Sequence, residues 1–146
     1  MREDDHQKMI VDSLRPNPNS EFTLRWHHHD SKLSETMLRA WESKLFLDVT
    51  LASGQQTIGC HKLVLCACSP LLESLLTSPT SWQTHHPHPM IYFNDIDPDD
   101  LVALVEFMYR GSLTVTHRTL PGIINAAQIL KIRGLTRGMY SFYTFI

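Results

Sequence analysis

Residues 46–70 constrain the fold of this chain more than any other stretch. Two short apolar runs, "FLDVTLAS" and "QTIGCH", meet at Gly54-Gln55, a pair that favours a tight turn between two strands. The apolar run "KLVLCACSP" follows at once and stops at Ser69-Pro70, where the serine can cap a helix that begins with the proline. We therefore predict a strand hairpin that leads directly into two short helices.

A period-2 pattern lies upstream of this hairpin. Phe22, Leu24 and Trp26 alternate with polar residues, which is typical of a strand. Residues 1–20 before them are polar and contain two prolines, so we expect a flexible leader there.

The apolar spacing changes after this strand pattern. Four apolar residues recur at every fourth position: Leu33, Met37, Trp41 and Leu45. This spacing marks one face of an amphipathic helix. We predict the helix over residues 31–45, with Asp30 or Ser31 as its N-cap.

The C-terminal half carries two more helix patterns and two strand patterns. The motif "DPDD" predicts a helix that is capped by Asp97 and stops at Gly111, and a last helix is expected over residues 120–131. "MIYFNDI" and "LTVT" have the composition of short strands. Helices dominate and a small mixed sheet lies among them, so the fold class is α+β.

Composition excludes several classes of protein. Lys plus Arg is 13 and Asp plus Glu is 15, which leaves no basic excess for gripping a nucleic-acid backbone. The three cysteines lack C-x-x-C spacing, so we expect reduced thiols, no disulfide and no zinc finger.

No apolar run approaches the roughly 20 residues that span a bilayer, and the charged start is unlike a signal peptide. We expect a soluble protein of the nucleus or cytoplasm that contacts no membrane.

Two histidine groups raise the question of a metal site. Three adjacent side chains, residues 27–29, cannot all reach one ion from a regular element, so a polar turn is the preferred interpretation and metal binding the alternative. Residues 78–89 are rich in histidine and proline, and we expect a surface loop there. A nucleophile built from His61 with Cys66 or Cys68 is disfavoured because an apolar setting keeps a thiol inert. We expect no cofactor and no enzymatic activity.

Four motifs resemble one family. "FLDVTL", "CHKLVLCACSPLL", "FMYRGSLTV" and "AAQILKIRGL" stand in the order and spacing of BTB/POZ domains, and "FTLRW" resembles the opening of the arthropod tramtrack-type subgroup. The resemblance covers residues 21–137, between a leader (1–20) and an aromatic C-terminal tail (138–146). It implies the BTB/POZ fold, a helical cluster around a small mixed sheet, with a domain-swapped N-terminal strand in a dimer.

The resemblance also implies particular site residues. The dimer contacts expected from it are Phe22, Leu24, Trp26, Leu33, Met37 and Trp41. Asp48 and Lys62 correspond to the family's charged pocket near the interface, beside His61, which we expect to hold local structure. The pair is either an ion pair that supports the fold or a site of partner recognition.

The implied function is a non-enzymatic protein-interaction module of transcription or chromatin regulators in the nucleus. Its expected partners are a second copy, in a homodimer or higher oligomer, other BTB-domain proteins, and corepressors. The alternative is a substrate adaptor that binds the scaffold of a cullin-type ubiquitin ligase. Direct nucleic-acid binding by this chain is not expected.

Overall fold

The computed structural model describes residues 17–78 and 87–135. In chain order, the elements of this part are α1 (His29–Glu42), β1 (Val49–Ser53), β2 (Gln56–Cys60), α2 (Lys62–Cys68), α3 (Pro70–Thr77), β3 (Met90–Tyr92), α4 (Pro98–Arg110) and α5 (Leu120–Leu130). Residues 1–16 of the predicted leader, residues 79–86 of the loop predicted over 78–89, and the predicted tail over 138–146 lie outside the described residues.

The three described strands form one mixed sheet in the order β2-β1-β3. Leu51 in the central strand lies opposite Ile58 of antiparallel β2 and opposite Ile91 of parallel β3. The turn between β1 and β2 is at Gly54, whose φ of 57° is readily adopted by glycine. The predicted hairpin, its turn and the α+β class are therefore confirmed.

The core lies between the sheet and helices α2 to α5. Its largest fully buried side chains include one leucine or more from β1 and from each of these helices: Leu51, Leu65, Leu72, Leu101, Leu104 and Leu130. The buried face of α4 consists of Leu101, Leu104, Val105, Met108 and Tyr109. No helix in residues 17–78 or 87–135 is both long enough and apolar enough to cross a membrane.

Local capping chemistry sets three helix ends where the sequence predicts them. The Ser69 hydroxyl accepts a hydrogen bond from the Leu72 N–H at 3.1 Å, at the start of α3. A carboxylate oxygen of Asp97 accepts from the Asp99 N–H at 2.9 Å, at the start of α4. Gly111 ends α4 in the left-handed conformation with φ 79°. These predictions depended only on neighbouring residues, and all three are confirmed.

Helix α1 begins earlier than predicted. Its first residue is His29, and its N-cap is His28, which makes no side-chain capping bond. Asp30 and Ser31 therefore lie inside the first turn, and the prediction that one of them is the cap is wrong. Asp30 still places a negative charge near the positive end of the helix dipole. The Ser31 hydroxyl donates to the His28 carbonyl at 3.1 Å.

The same helix ends at Glu42 instead of residue 45. Lys44 adopts the left-handed conformation with φ 56°, which stops the helical hydrogen-bond ladder. The Leu45 N–H reaches back to the Ala40 carbonyl at 2.8 Å, and the Lys44 N–H to the Trp41 carbonyl at 3.1 Å. This pair of bonds is a Schellman motif, with lysine at the position where glycine is commonest.

Two predicted strands do not form in the structure of this single chain. Residues 21–26 and residues 112–116 have no strand assignment among the described residues. A strand exists only when a second strand pairs with it, and neither segment has such a neighbour here. Leu113 and Val115 still pack on the core while Thr114 and Thr116 are exposed, so this segment keeps the alternation of a strand.

Candidate interaction surface

The N-terminal segment presents large apolar side chains to solvent. Phe22, Leu24 and Trp26 are all exposed, and Leu24 is 88% accessible. The Trp26 ring meets the His29 ring edge-on, with ring centroids 5.1 Å apart, at the start of α1. The segment is therefore continuous with that helix, and its exposed area is available for contact with another chain.

Helix α1 continues this apolar surface. Leu33 is exposed and Met37 is half-buried, and none of the helix's residues is fully buried. Leu38, half-buried, packs on the core. The helix therefore covers the core with one face and offers Leu33 and part of Met37 on the other.

Trp41 differs from the other five predicted contact residues because it is engaged within its own chain. Its ring stacks on the Tyr109 ring at a centroid distance of 4.6 Å and an interplanar angle of 7°. Its indole N–H donates to the Gly59 carbonyl at 3.1 Å. Trp41 thus fastens α1 to helix α4 and strand β2, and only part of its surface remains accessible.

Arg110 adds a second attachment between α1 and α4 through one of its two ion pairs. The Arg110 guanidinium lies 3.2 Å from the Glu42 carboxylate on α1 and 3.1 Å from the Glu106 carboxylate on its own helix. The side chains are partly exposed, so each pair is worth a few tenths of a kcal/mol up to about 1 kcal/mol. Their main effect is to fix the end of α1 against the domain.

Asp48 and Lys62 come together, but not as the ion pair that one of the two interpretations requires. The Asp48 carboxylate accepts a hydrogen bond from the backbone N–H of Lys62 at 2.7 Å. The Lys62 ammonium instead approaches the Pro87 carbonyl at 3.4 Å, and no ion pair joins the two side chains, both of which the structure describes. Asp48 therefore satisfies an orphan amide at the start of α2, as a capping carboxylate does.

His61 is a buried junction between three parts of the chain. Its Nε2 lies 2.7 Å from the Leu45 carbonyl, and its Nδ1 lies 2.6 Å from the Tyr109 hydroxyl. A carbonyl can only accept, so Nε2 carries the proton and the Tyr109 hydroxyl donates to Nδ1. The same hydroxyl accepts from the His61 backbone N–H at 2.9 Å. The expectation that His61 holds local structure is confirmed.

Burial raises the pKa of the Tyr109 hydroxyl, and nearby Cys60 and Asp48 raise it further, against an opposing backbone hydrogen bond from His61. The hydroxyl therefore keeps the proton that it donates to His61. Sequence reasoning did not single out Tyr109. The only signal for it is its place on the buried side of the α4 pattern, where a tyrosine hydroxyl must find a partner.

The cysteines are suited to a structural role. Burial, with a smaller effect from Asp48, raises the pKa of Cys60 to about 12. Burial is also the first cause of the raised pKa values of Cys66 and Cys68. All three thiols therefore stay protonated at neutral pH, when they are weak nucleophiles.

The surface histidines in the described part of the chain have different neighbours. His27 and His28 lie in a turn, and His29 opens α1 with its Nδ1 3.2 Å from an Asp30 carboxylate oxygen. His88 contacts the Thr50 hydroxyl at 2.8 Å. Within the described residues, no three His, Cys, Asp or Glu side chains group as a metal site requires.

Comparison with known proteins identifies the fold and the relatives of this chain. Residues 37–144 match the family model of the BTB/POZ domain. The Drosophila melanogaster protein tramtrack, alpha isoform, is 37% identical over 120 residues, which cover 81% of this chain and 14% of tramtrack. The D. melanogaster transcription activator GAGA is 40% identical over 118 residues, 80% of this chain and 19% of that protein.

A shorter relative and a solved structure agree with these matches. The D. melanogaster longitudinals lacking protein-like is 36% identical over 117 residues, which cover 80% of this chain and 88% of that protein. The BTB domain of zebrafish PATZ1 superposes with a TM-score of 0.66 at 22% identity and covers 79% of this chain and 91% of the PATZ1 chain. The chain spans only 10% to 19% of the first curated relatives that it matches.

Proposed function

This chain belongs to the BTB/POZ family, a protein-interaction fold, and we propose that it pairs with a second copy of itself through residues 21–26 and helix α1. The observation that carries the proposal is that a single chain leaves the large apolar side chains of this surface exposed to solvent. Phe22, Leu24, Trp26 and Leu33 are all exposed, although large apolar residues in a small domain are usually covered.

The two unformed strands explain how a pair would gain stability. Residues 21–26 alternate without a partner strand, and residues 113–116 alternate with their apolar side chains already on the core. In a two-fold pair, the N-terminal segment of one chain lies beside residues 113–116 of the other. Each copy then completes a strand that it cannot form alone, and an open sheet edge is covered.

Helix α1 supplies the rest of the contact. Leu33 and Met37 pack against α1 of the partner chain, while Trp41 holds the helix against Tyr109 of its own chain. At about 25 cal/mol per Å² of apolar surface, an interface of about 2,000 Å² can hold two folded copies together. The pocket at Asp48 and Lys62 is a candidate partner contact next to this interface.

Self-association of this kind suits a regulator of transcription in the nucleus. One of the relatives is by name a transcription activator, and this supports the same role here. Pairing raises the effective concentration of whatever each chain carries or recruits, corepressors included. Other BTB-domain proteins are the natural alternative partners because they carry a related surface.

The comparisons do not favour the alternative of a substrate adaptor for a cullin-type ubiquitin ligase.

The domain organisation proposed for the chain keeps the leader over 1–20, the interaction domain over 21–137 and the aromatic tail over 138–146.

Light scattering with mass determination over a dilution series tests the proposal directly. We expect a particle of two chains of 16.8 kDa each, or a multiple of that pair, throughout the micromolar range. A well-folded single chain at those concentrations would overturn it.

A further inference from the structure

We infer that the turn after α1, residues 44–46, is a second part of the self-association surface, that a second copy of this chain covers it, and that His61 positions it. The inference rests on the proposed function and names a contact region outside the residues predicted from sequence. We call residues 44–46 the Phe46 turn.

The Phe46 turn displays apolar area that the single chain leaves uncovered. Phe46 is 86% exposed, and its neighbour Leu45 is also exposed. Leu47, by contrast, lies over strand β2: a Cβ atom built on Gly59 would come within 2.6 Å of the Leu47 side chain. The chain therefore returns to the domain at Leu47 and leaves the two preceding side chains outside.

The backbone of the turn adopts a conformation that costs energy. Phe46 has φ 62° and Lys44 has φ 56°, a region that bulky L-residues rarely occupy. A strained and exposed aromatic residue is stable only if the surroundings fix it. The two Schellman hydrogen bonds at the end of α1 fix the first part of the turn.

His61 fixes the middle of the turn. Its Nε2–H donates to the Leu45 carbonyl at 2.7 Å, and only 6% of His61 is exposed. Tyr109 sets the tautomer that makes this donation possible, since its hydroxyl occupies Nδ1 at 2.6 Å. The Leu45 carbonyl is thus held towards the domain, while the Phe46 side chain stands in solvent.

A second copy is the occupant that the geometry favours. The turn begins two residues after α1 ends, so it is continuous with the proposed contact helix. A standard interface uses about 20 to 30 residues from each partner, far more than the six predicted from sequence, and Trp41 is already engaged internally. In a two-fold pair each copy presents the same turn, so both turns are covered at once.

Two glycine substitutions distinguish the loss of exposed apolar area from the relief of backbone strain. Phe46→Gly removes the exposed ring and relieves the positive φ, so the domain should remain folded by circular dichroism and urea unfolding. Lys44→Gly is the matched control, because it relieves the same strain in the same turn without removing apolar area.

Sedimentation velocity over a dilution series gives the dissociation constant of each variant. We expect Phe46→Gly to weaken self-association about a hundredfold, since a loss of about tenfold enters a two-fold interface twice. Lys44→Gly should associate like the parent. Equal dissociation constants for the parent and Phe46→Gly would overturn the inference but leave the proposed function intact. A parent chain that sediments as a folded monomer would overturn both.

Two substitutions at His61 test its positioning role. Glutamine can place an amide N–H near the position of Nε2 and keep the bond to Leu45, whereas the shorter asparagine can replace only the Nδ1 contact. We expect His61→Gln to retain self-association and His61→Asn to weaken it at least about tenfold when both are folded. Equal association of both folded variants with the parent would show that His61 does not position the turn.

Discussion

At the scale of single residues, Tyr109 connects helix α4 to helix α1 and to His61. Its ring supports Trp41 of α1, and its hydroxyl exchanges two hydrogen bonds with His61. Removing that hydroxyl leaves a buried N–H and a buried ring nitrogen without partners, which costs more than the bonds themselves contribute. Sequence patterning places this tyrosine on the core face, but only the tertiary structure gives it these partners.

We therefore expect Tyr109→Phe to lower the free energy of unfolding by about 2–3 kcal/mol. Urea denaturation at fixed protein concentration measures this loss. Tyr92→Phe is the matched control, because Tyr92 is exposed on the edge strand and its change should stay within about 0.5 kcal/mol. Similar small losses for both variants would contradict the role assigned to the buried hydroxyl.

A second expectation at this scale concerns Asp48 and Lys62. Because Asp48 binds the Lys62 amide and not its ammonium, Asp48→Ala should cost about 1–2 kcal/mol, as loss of a helix cap does. Lys62→Met should change stability by less than about 0.5 kcal/mol. Thermal or urea unfolding of the two variants distinguishes the models, since an ion pair that supported the fold would make both losses large and similar.

At the scale of elements, local chemistry explains which boundaries were predictable. Gly54 forms the hairpin turn, and Ser69 and Asp97 cap their helices through bonds to amides two or three residues away. Residues 21–26 and 113–116 also carry strand patterns, but a strand needs a partner that is remote in the chain or belongs to another chain. The predicted turn and caps are confirmed. The strands predicted over residues 21–26 and 113–116 do not form in the single chain.

The apolar elements at the N-terminus predict the effect of two substitutions on self-association. Trp26→Ala removes an exposed aromatic anchor, and Met37→Asp places a charge in the proposed contact face of α1. We expect the dissociation constant to rise at least about tenfold for each variant, with the larger effect for the buried charge. Sedimentation velocity measures both.

Met90→Ser is the control for these variants. It removes comparable exposed apolar area on β3, outside residues 21–26, helix α1 and the Phe46 turn. It should leave the dissociation constant unchanged. If all three variants weaken association equally, apolar area in general would explain the effect, and the proposed surface would be wrong.

At the scale of the whole molecule, a shared contact surface predicts mixed pairs. Tramtrack and GAGA match 81% and 80% of this chain, so we expect the matching parts of those proteins to carry a related contact surface and to exchange partners with it. We expect two differently tagged BTB domains, this one and that of tramtrack, to co-purify after co-expression. Recovery of homodimers alone would show that the interface discriminates between relatives.

The sequence by itself determined the α+β class, the hairpin and three helix ends, because these follow from hydrogen bonds and apolar periodicity within a few residues, and its motifs identified the family. The tertiary structure decided where Trp41 is engaged, how Asp48 caps α2, and how His61 and Tyr109 hold the Phe46 turn. Those contacts join residues between 14 and 68 positions apart, and closing such distances depends on the packing of the whole domain.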